Sequence, residues 1–285
     1  MSKIEWTDKT WNPIVGCKPV SEGCRHCYAE RMARRLAAMK QTKHKYNNVV
    51  DRHGWTGRVH LDRDCLGKPP KSGMCFVCSM GDLFYGNVCD DHIYDVYLAM
   101  EKNPDVTFQV LTKRPHRGLR FHRMAVPPHL DNLWVGTTVE HPDYQDRIKP
   151  LLQIPAAVRF VSAEPLLGPV DLMPWLWFFG CECGLQFNAP GLDGKRLLYP
   201  ECRRSVTPRD HSLDWVIVGC ESGPGRRPCK LEWVRAIVDR CGAAGVPVFV
   251  KQIEIAGRVV HDVEPIAKAL GYTVAEIRQF PTVER

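Results

Sequence analysis

Short apolar runs alternate with stretches of helical periodicity along most of the chain. Seven of these runs are rich in β-branched and aromatic residues and are predicted as strands, namely Thr10–Gly16, Met74–Met80, Thr107–Thr112, Leu133–Val139, Val158–Ala163, Asp214–Gly219 and Pro247–Lys251. Helical periodicity fills several intervals between them, namely Tyr28–Met39, Asp91–Lys102, Asp143–Leu152 and Leu231–Cys241. Strands that alternate with helices indicate a parallel sheet, and seven candidate strands favour a complete or partial barrel over a small open sheet. The prediction is an α/β fold that forms a single domain over residues 1–285.

A polar residue follows nearly every predicted strand. Because active sites of parallel barrels lie at the carboxyl ends of the strands, these residues form the candidate site. They are Cys17, Ser79, Asp82, Thr112, Lys113, Arg114, Thr137, Thr138, Glu140, Glu164, Glu221 and Lys251. Strand ends also reach solvent, which explains part of this pattern without any function.

One segment interrupts the alternation between the fifth and sixth predicted strands. Residues 180–212 have little apolar periodicity and contain Cys181, Cys183, Cys202 and His211. We predict a Cys-rich insertion, which is too long to stay ordered as a bare loop without a bound metal or another cross-link. The four side chains are of the types that bind zinc, although the C-x-C pair is unusually tight, so zinc and unligated thiols both stay open.

Composition narrows the class of protein. With 285 residues, 44% hydrophobic and 25% charged, the chain has a globular composition, which excludes disordered, collagenous and coiled-coil proteins. No apolar run approaches the roughly 18 residues of a membrane span, and Met1–Thr10 is polar, so we expect a cytoplasmic protein without membrane contact. The net charge of +7 fits a nucleic acid or another anionic partner without requiring one.

The thirteen cysteines are the unusual feature of the composition. An odd number of cysteines, in a protein that we expect to be cytoplasmic, argues against a disulfide framework. Cys65, Cys75, Cys78 and Cys89 are candidates for a second metal site, but buried thiols are favoured. Residues three apart on one strand point to opposite faces, so Cys75 and Cys78 cannot easily bind the same metal.

The segment after the first predicted strand contains three further cysteines. Cys17, Cys24 and Cys27 have C-x6-C-x2-C spacing in a loop that precedes a predicted helix. Three thiolates without a fourth nearby form the ligand set of a [4Fe–4S] cluster with one open iron. Zinc is the main alternative, because the x2 spacing also fits zinc knuckles, but a closed zinc site needs a fourth ligand. Three buried free thiols are disfavoured because the loop is polar.

The stretch G-C-R-H-C-Y-A-E at residues 23–30 resembles the cluster loop of the radical S-adenosylmethionine superfamily. The usual spacing there is C-x3-C-x2-C, so the x6 gap is a departure, and His26 stands where an aromatic residue is common. Other motifs resemble a phage and prophage protein family catalogued as a domain of unknown function. These motifs are Glu5–Pro13, Leu111–Pro115, Glu164–Pro169 and Trp215–Pro224. This second resemblance covers residues 4–252 apart from the insertion.

The superfamily resemblance implies a partial (β/α)6-type parallel barrel, a [4Fe–4S] cluster and S-adenosyl-L-methionine. An external one-electron reductant would drive cleavage of the sulfonium, and the resulting 5′-deoxyadenosyl radical would abstract a substrate hydrogen. A polar group after the second strand would receive the ammonium of the cofactor, and Ser79 and Asp82 match that position. Capping of a helix is the alternative role for Asp82. Thr137, Thr138 and Glu140 match the region that contacts the ribose.

The other strand-end residues have broader assignments. Thr112 and Lys113 join the cofactor-binding set. Glu164, Glu221 and Lys251 are the candidate catalytic residues, which could hold substrate, donate a proton or bind phosphate, and a structural carboxylate is the alternative for both glutamates. The charge and the basic insertion predict a nucleic acid or nucleotide substrate. The alternatives are a zinc-containing nucleic-acid-binding protein without catalysis and a barrel that has lost its activity.

Overall fold

The computed structural model describes residues 4–176, 179–181, 186–187, 206–208 and 212–282, with the backbone alone for the three short pieces. Its main sheet has parallel strands β1 Lys9–Trp11, β2 Gly73–Val77, β3 Val106–Thr112, β4 Leu133–Thr138, β5 Val158–Ala163, β6 Trp215–Val218 and β7 Val248–Val250. The strands are ordered as they occur in the chain. The α/β class and the parallel sheet are therefore confirmed, and this order is compatible with a partial (β/α) barrel.

Helices follow most of these strands. The longer ones are α1 Tyr28–Ala38, α2 Asp90–Glu101, α3 Pro115–Ala125, α4 Leu231–Ala244 and α5 Val263–Leu270. Single helical turns occupy Lys43–Tyr46, Arg63–Leu66, Ile148–Leu151, Met173–Leu176 and Val274–Ile277, and 3₁₀ turns occupy Glu22–Cys24 and Pro142–Arg147. The predicted helix at 143–152 is thus a 3₁₀ turn continued by one α-helical turn. Within the described residues, no helix has the length and apolar character needed to cross a bilayer.

Short antiparallel pairs supplement the main sheet. They are Ile14–Val15 with His60–Leu61, Val50–Asp51 with Gly54–Trp55, and Ile253–Ile255 with Arg258–Val260. The first predicted strand is therefore divided: β1 ends at Trp11, and the chain pairs elsewhere from Ile14. Pro13 explains the division, because it has no N–H to continue a ladder.

The chain divides into two compact units. The first contains Met1–Thr138 and Lys149–Val158, and the second contains Val139–Ile148 and Arg159–Thr282. In the first unit, the inward residues of β3 and all six residues of β4 are buried. Such nearly continuous apolar strands are expected where both faces of a sheet are covered.

The second unit has its core around Trp215 on β6. The Trp215 ring lies 5.4 Å from Phe160 and 6.3 Å from Phe249, measured between ring centroids. Its indole N–H donates to the carbonyl of Gln279 at 2.9 Å, so the polar edge of this buried ring is satisfied. The carboxyl ends of β5, β6 and β7 thereby extend from one rigid aromatic core.

The predicted insertion contains three short antiparallel strands in the order Gln186–Phe187, Phe179–Cys181, Val206–Pro208. Cys183, Cys202 and His211 lie outside the described residues, and so does the side chain of Cys181. Zinc binding by this set therefore stays a prediction.

Candidate functional site

The cysteine loop leaves the sheet through a close backbone contact. Gly16 and Gly81 form an isolated parallel bridge, and the Gly16 N–H donates to the Met80 carbonyl at 3.1 Å. Gly16 has φ +102°, and a Cβ there would lie 2.2 Å from the Arg58 carbonyl oxygen. Only glycine fits this position, from which the chain enters the cysteine loop at Cys17.

The three loop cysteines are free thiols, and each is partly exposed. Cys24 ends the 3₁₀ turn, and its carbonyl accepts a hydrogen bond from the Cys27 N–H at 3.3 Å. Cys27 is the N-cap residue of α1. Among the described residues, no group of three or more His, Cys, Asp or Glu side chains is arranged to hold a metal ion. A [4Fe–4S] cluster presents a different requirement, because each thiolate binds a separate iron.

The surroundings of these thiols act on their pKa values in opposite directions. Burial, helped by the charge of Asp82, raises the pKa of Cys17 to about 12, while the nearby Arg114 guanidinium opposes this shift. Burial also raises the pKa of Cys27, and the backbone N–H groups of Glu30 and Ala29 oppose it. The groups that lower these pKa values are the ones that would stabilise thiolates, which is the form that binds metals.

Asp82 lies after β2 and is the centre of a buried hydrogen-bond network. Its Oδ1 accepts from the Thr112 hydroxyl at 2.7 Å and from the Phe84 N–H at 3.0 Å. Its Oδ2 accepts from Arg114 Nη1 at 2.8 Å and from the Lys113 N–H at 3.2 Å. A carboxylate has about four acceptor positions. An ammonium group at Asp82 would therefore have to displace one of these four donors.

Arg114 connects this network to the cysteine loop. Its Nη1 lies 3.7 Å from Cys17 Sγ, and its Nη2 donates to the Lys18 carbonyl at 2.5 Å. The guanidinium carbon is 4.8 Å from the centre of the Tyr85 ring, within the range of a cation–π contact. Burial lowers the pKa of Arg114, but Asp82 and Cys17 outweigh that effect and raise it. Arg114 therefore stays a cation that holds the start of the loop.

Two further residues of this region were not among the predicted site residues. Asn12 Oδ1 accepts from the Ser79 hydroxyl at 3.1 Å and from the Met80 N–H at 2.9 Å. The Tyr28 hydroxyl donates to the Ser79 carbonyl at 2.8 Å, which ties α1 to the end of β2. The sequence features that could have identified them are the Asn12-Pro13 pair after β1 and the tyrosine that follows the third cysteine. Ser79 thus makes structural contacts on both its hydroxyl and its carbonyl.

The predicted threonines of β4 lie beside this network. The Thr137 hydroxyl donates to the Thr112 carbonyl at 2.9 Å. Thr138, the last residue of β4, is buried. The structure therefore brings Cys17, Asp82, Thr112, Lys113 and Thr137 into connected positions within the first unit.

In the second unit, the structure brings together two of the predicted catalytic residues. Lys251 Nζ lies 2.6 Å from Glu164 Oε1, and Gln252 Nε2 donates to the same oxygen at 2.9 Å. Gln252 Nε2 also donates to the Cys220 carbonyl at 2.7 Å, while its buried Oε1 has no hydrogen-bond partner among the described residues. Gln252 is 1% exposed, so this amide is a fixed part of the site.

The remaining predicted glutamates are held by arginines. Glu221 Oε2 accepts from the Arg227 N–H at 2.8 Å, and Glu221 Oε1 lies 2.6 Å from Arg227 Nη2. Glu140 is fully buried and lies 2.9 Å from Arg147 Nη1. Both arrangements are those of structural ion pairs, in which a buried carboxylate is neutralised and hydrogen-bonded.

A family model matches residues 1–271 of the chain, including the cysteine loop and all the strand ends described above. The chain belongs to the family described as "Protein of unknown function (DUF5131)". This confirms the resemblance to a family of unknown function. The matched region extends beyond the expected residues 4–252 at both ends. Comparisons of this DUF5131 chain with curated proteins and with solved structures gave no match. The resemblance to the radical S-adenosylmethionine superfamily stays a prediction.

Proposed function

We propose that this protein is a radical S-adenosylmethionine enzyme with a partial (β/α)6 barrel. The observation that supports this best is the position of three free thiols in one loop, between the end of β1 and the start of α1. The loop also contacts the buried Asp82–Arg114 pair through Cys17. In this proposal Cys17, Cys24 and Cys27 hold a [4Fe–4S] cluster.

The donor set and its surroundings fit such a cluster. Thiolates are the ligands that iron–sulfur clusters require, and three of them leave one iron open. The cluster would be anionic, and two features favour negative charge here: the Arg114 guanidinium beside Cys17 and the amino end of α1 at Cys27. The sharp turn at Gly16 gives the loop close backbone approach.

When bound, the cluster and S-adenosylmethionine would supply the one-electron chemistry needed to abstract a hydrogen atom, with the electron coming from an external reductant. The chain would supply position and exclusion of water. Asp82 holds the backbone of Lys113 and the side chains of Thr112 and Arg114, so this edge of the sheet keeps one geometry. Arg114 fixes the Lys18 carbonyl and thereby the start of the cysteine loop.

In the second unit, Glu164 and Lys251 are proposed to contact the substrate. Lys251 Nζ has donors beyond the one used by Glu164, and Glu164 Oε2 bonds to no described residue. Both side chains are about one-fifth exposed, at 21% for Lys251 and 18% for Glu164. The pair could therefore transfer a proton to or from a substrate group without first breaking its own contact.

Metal analysis after anaerobic reconstitution tests the cluster directly. We expect about four irons per chain and a brown protein. Cys24→Ala should lose this iron, whereas Cys89→Ala should keep it, because Cys89 is an exposed thiol outside the loop. Zinc in place of iron, or equal iron loss in both variants, contradicts the proposal. A zinc-only protein that binds nucleic acid would favour the non-catalytic alternative.

Formation of 5′-deoxyadenosine by the reduced, reconstituted protein tests the chemistry. Cys24→Ala should abolish it. Once a substrate is found, Glu164→Gln and Lys251→Met should keep their iron and lose about 10²-fold or more in substrate turnover, as expected for general acid–base residues. Full turnover in either variant contradicts the assignment of that residue, and turnover without iron contradicts the whole proposal.

A further inference from the structure

The positive charge of this protein is concentrated in one segment. Residues 18–45 contain eight Lys and Arg but two Glu, which is a net +6 of the +7 carried by the whole chain. The rest of the chain is therefore close to neutral. This segment consists of the cysteine loop, helix α1 and the turn of Lys43–Tyr46. A local excess of this size produces a positive potential that attracts polyanions.

Helix α1 has two distinct faces. Ala29 and Ala33 are buried, and they pack in a core cluster with Val15, Val49 and Met80. The small alanines bring the helix backbone close to this core.

The opposite face, which we call the outer face of α1, consists of exposed residues three and four positions apart, namely Tyr28, Arg31, Met32, Arg35 and Met39. The outer face thus combines cations with an aromatic ring and two methionines.

The cations of the outer face are available for a partner. Arg34, at the edge of this face, pairs with Glu30 at 2.8 Å, and Lys45 pairs with Asp62 at 2.8 Å. In contrast, the exposed side chains of Arg31 and Arg35 form no ion pair or hydrogen bond with any described residue. The same holds for the exposed Arg25 in the cysteine loop.

Tyr28 presents its ring beside these arginines in a fixed position. The side chain is 48% exposed, while its hydroxyl donates to the Ser79 carbonyl at 2.8 Å. A ring that is anchored at one end and exposed on its side loses little conformational entropy when a flat group stacks on it. Met32, one helical turn further, is 39% exposed and extends the apolar surface.

We propose that the outer face of α1 binds a single-stranded nucleic acid. Arg31 and Arg35 of this face, with Arg25 of the adjacent cysteine loop, contact phosphates, and the Tyr28 ring stacks on a base. An acidic protein would satisfy the arginines but gives no reason for an anchored exposed aromatic ring. A duplex would keep its bases stacked and out of reach of the ring. Helix α1 is about 16 Å long, enough for a few nucleotides.

The inference deepens the proposed function, because α1 begins at Cys27 and the bound strand would lie beside the cysteine loop. It names single-stranded nucleic acid as the substrate class. Binding itself needs no cluster, so the two proposals can fail separately.

Fluorescence anisotropy of labelled oligonucleotides of about 12 nucleotides tests the inference, using the full chain with and without reconstituted iron. Arg31→Gln/Arg35→Gln should bind at least about tenfold more weakly at about 50 mM salt. The slope of log K against log salt should fall by about 1.4, which corresponds to two phosphate contacts on a single strand.

The matched control is Arg120→Gln/Arg123→Gln on α3, which removes the same charge from exposed positions of another helix. It should bind within about twofold of the wild type. Equal weakening in the control and the test variant would show non-specific attraction and overturn the inference. Failure of the wild type to bind at this salt concentration would overturn it as well.

Two substitutions at Tyr28 separate a nucleic acid from an acidic protein. Tyr28→Leu should weaken binding about tenfold, in the range of one lost base–aromatic stack. Tyr28→Phe keeps the ring and should retain most of the affinity. Unchanged binding by Tyr28→Leu, tighter binding of duplex than of single strand, or equally tight binding of polyglutamate would each overturn the inference. Retained binding by a protein that takes up no iron would overturn the proposed function alone.

Discussion

Two carboxylate–cation pairs follow parallel strands in this protein, and they differ in how much of their bonding capacity is used. Asp82 and Arg114 are 2.8 Å apart in the first unit, and Glu164 and Lys251 are 2.6 Å apart in the second. All acceptor positions of Asp82 are filled by four donors, and its side chain is 7% exposed. Glu164 uses one oxygen for two donors, and its other oxygen bonds to no described residue.

The difference separates a pair that holds structure from a pair that can exchange partners. A fully satisfied buried network is rigid, and removing one member leaves charged groups without compensation. A partly satisfied pair can accept a ligand hydrogen bond or pass on a proton at little cost. Gln252 Oε1, which has no hydrogen-bond partner in the part of the chain that the structure describes, adds a further acceptor near Glu164.

The largest expected effect on stability comes from breaking the Asp82–Arg114 pair. Asp82→Ala removes four hydrogen bonds and leaves Arg114 as an uncompensated, largely buried cation. We expect the free energy of unfolding to fall by about 3 kcal/mol or more, as for other broken buried pairs. Urea denaturation of the apo protein measures it. A loss below about 1 kcal/mol would mean that Asp82 does not anchor this region.

An intermediate effect on stability comes from two thiols, Cys17 near Asp82 and Cys220 near Glu164. Burial, with the charge of Glu164, raises the pKa of Cys220 to about 12, just as burial with the charge of Asp82 raises that of Cys17. The neutral folded thiol contributes stability that is fully present below the ordinary thiol pKa of 9.0. That stability is lost as the pH rises from 9 towards 12, because the unfolded chain ionises first.

Cys220→Ala should therefore flatten the decline of stability above pH 9, by up to about 1.4 kcal/mol for each pH unit. Urea denaturation of the apo protein at several alkaline pH values measures the slope. Identical slopes for Cys220→Ala and the wild type would contradict the assignment.

The smallest expected effect on stability comes from breaking the Glu164–Lys251 pair. Glu164→Gln should change the free energy of unfolding by less than about 1 kcal/mol, because the pair is partly exposed and screened by solvent. The same denaturation assay, run beside Asp82→Ala, gives the direct contrast. A cost for Glu164→Gln as large as that of Asp82→Ala would remove the distinction between the two pairs.

Much of the fold could be predicted from the sequence. The seven apolar runs correspond to β1–β7 in order, because the apolar residues of a covered parallel sheet are continuous in the chain. The first strand was predicted too long because the apolar pattern continues through Pro13 to Gly16, whereas the hydrogen bonding of β1 to β2 ends at Trp11. The pattern reports burial, and hydrogen-bond pairing is a separate property.

The candidate site was predictable in part. The meeting of Asp82 with Thr112 and Arg114 follows from neighbouring parallel strands, whose carboxyl ends share one edge. The contacts of Asn12 and Tyr28 with the Ser79 region depend on the path of the cysteine loop, which no periodicity reports. The pairing of Glu221 with Arg227 depends likewise on the turns at Gly223 and Gly225, both of which have positive φ.

The wide spacing between the first two cysteines has a consequence for engineering this protein. The six residues between Cys17 and Cys24 include Lys18, whose carbonyl accepts a hydrogen bond from Arg114, and Ser21, whose carbonyl accepts one from the Cys24 N–H. Shortening this segment to a C-x3-C spacing would remove residues from the stretch that carries both contacts and so weaken the attachment of the cysteine loop to the sheet. The length of this segment therefore helps to hold the loop in place. A transfer of the loop into a related protein should include Arg114 as well.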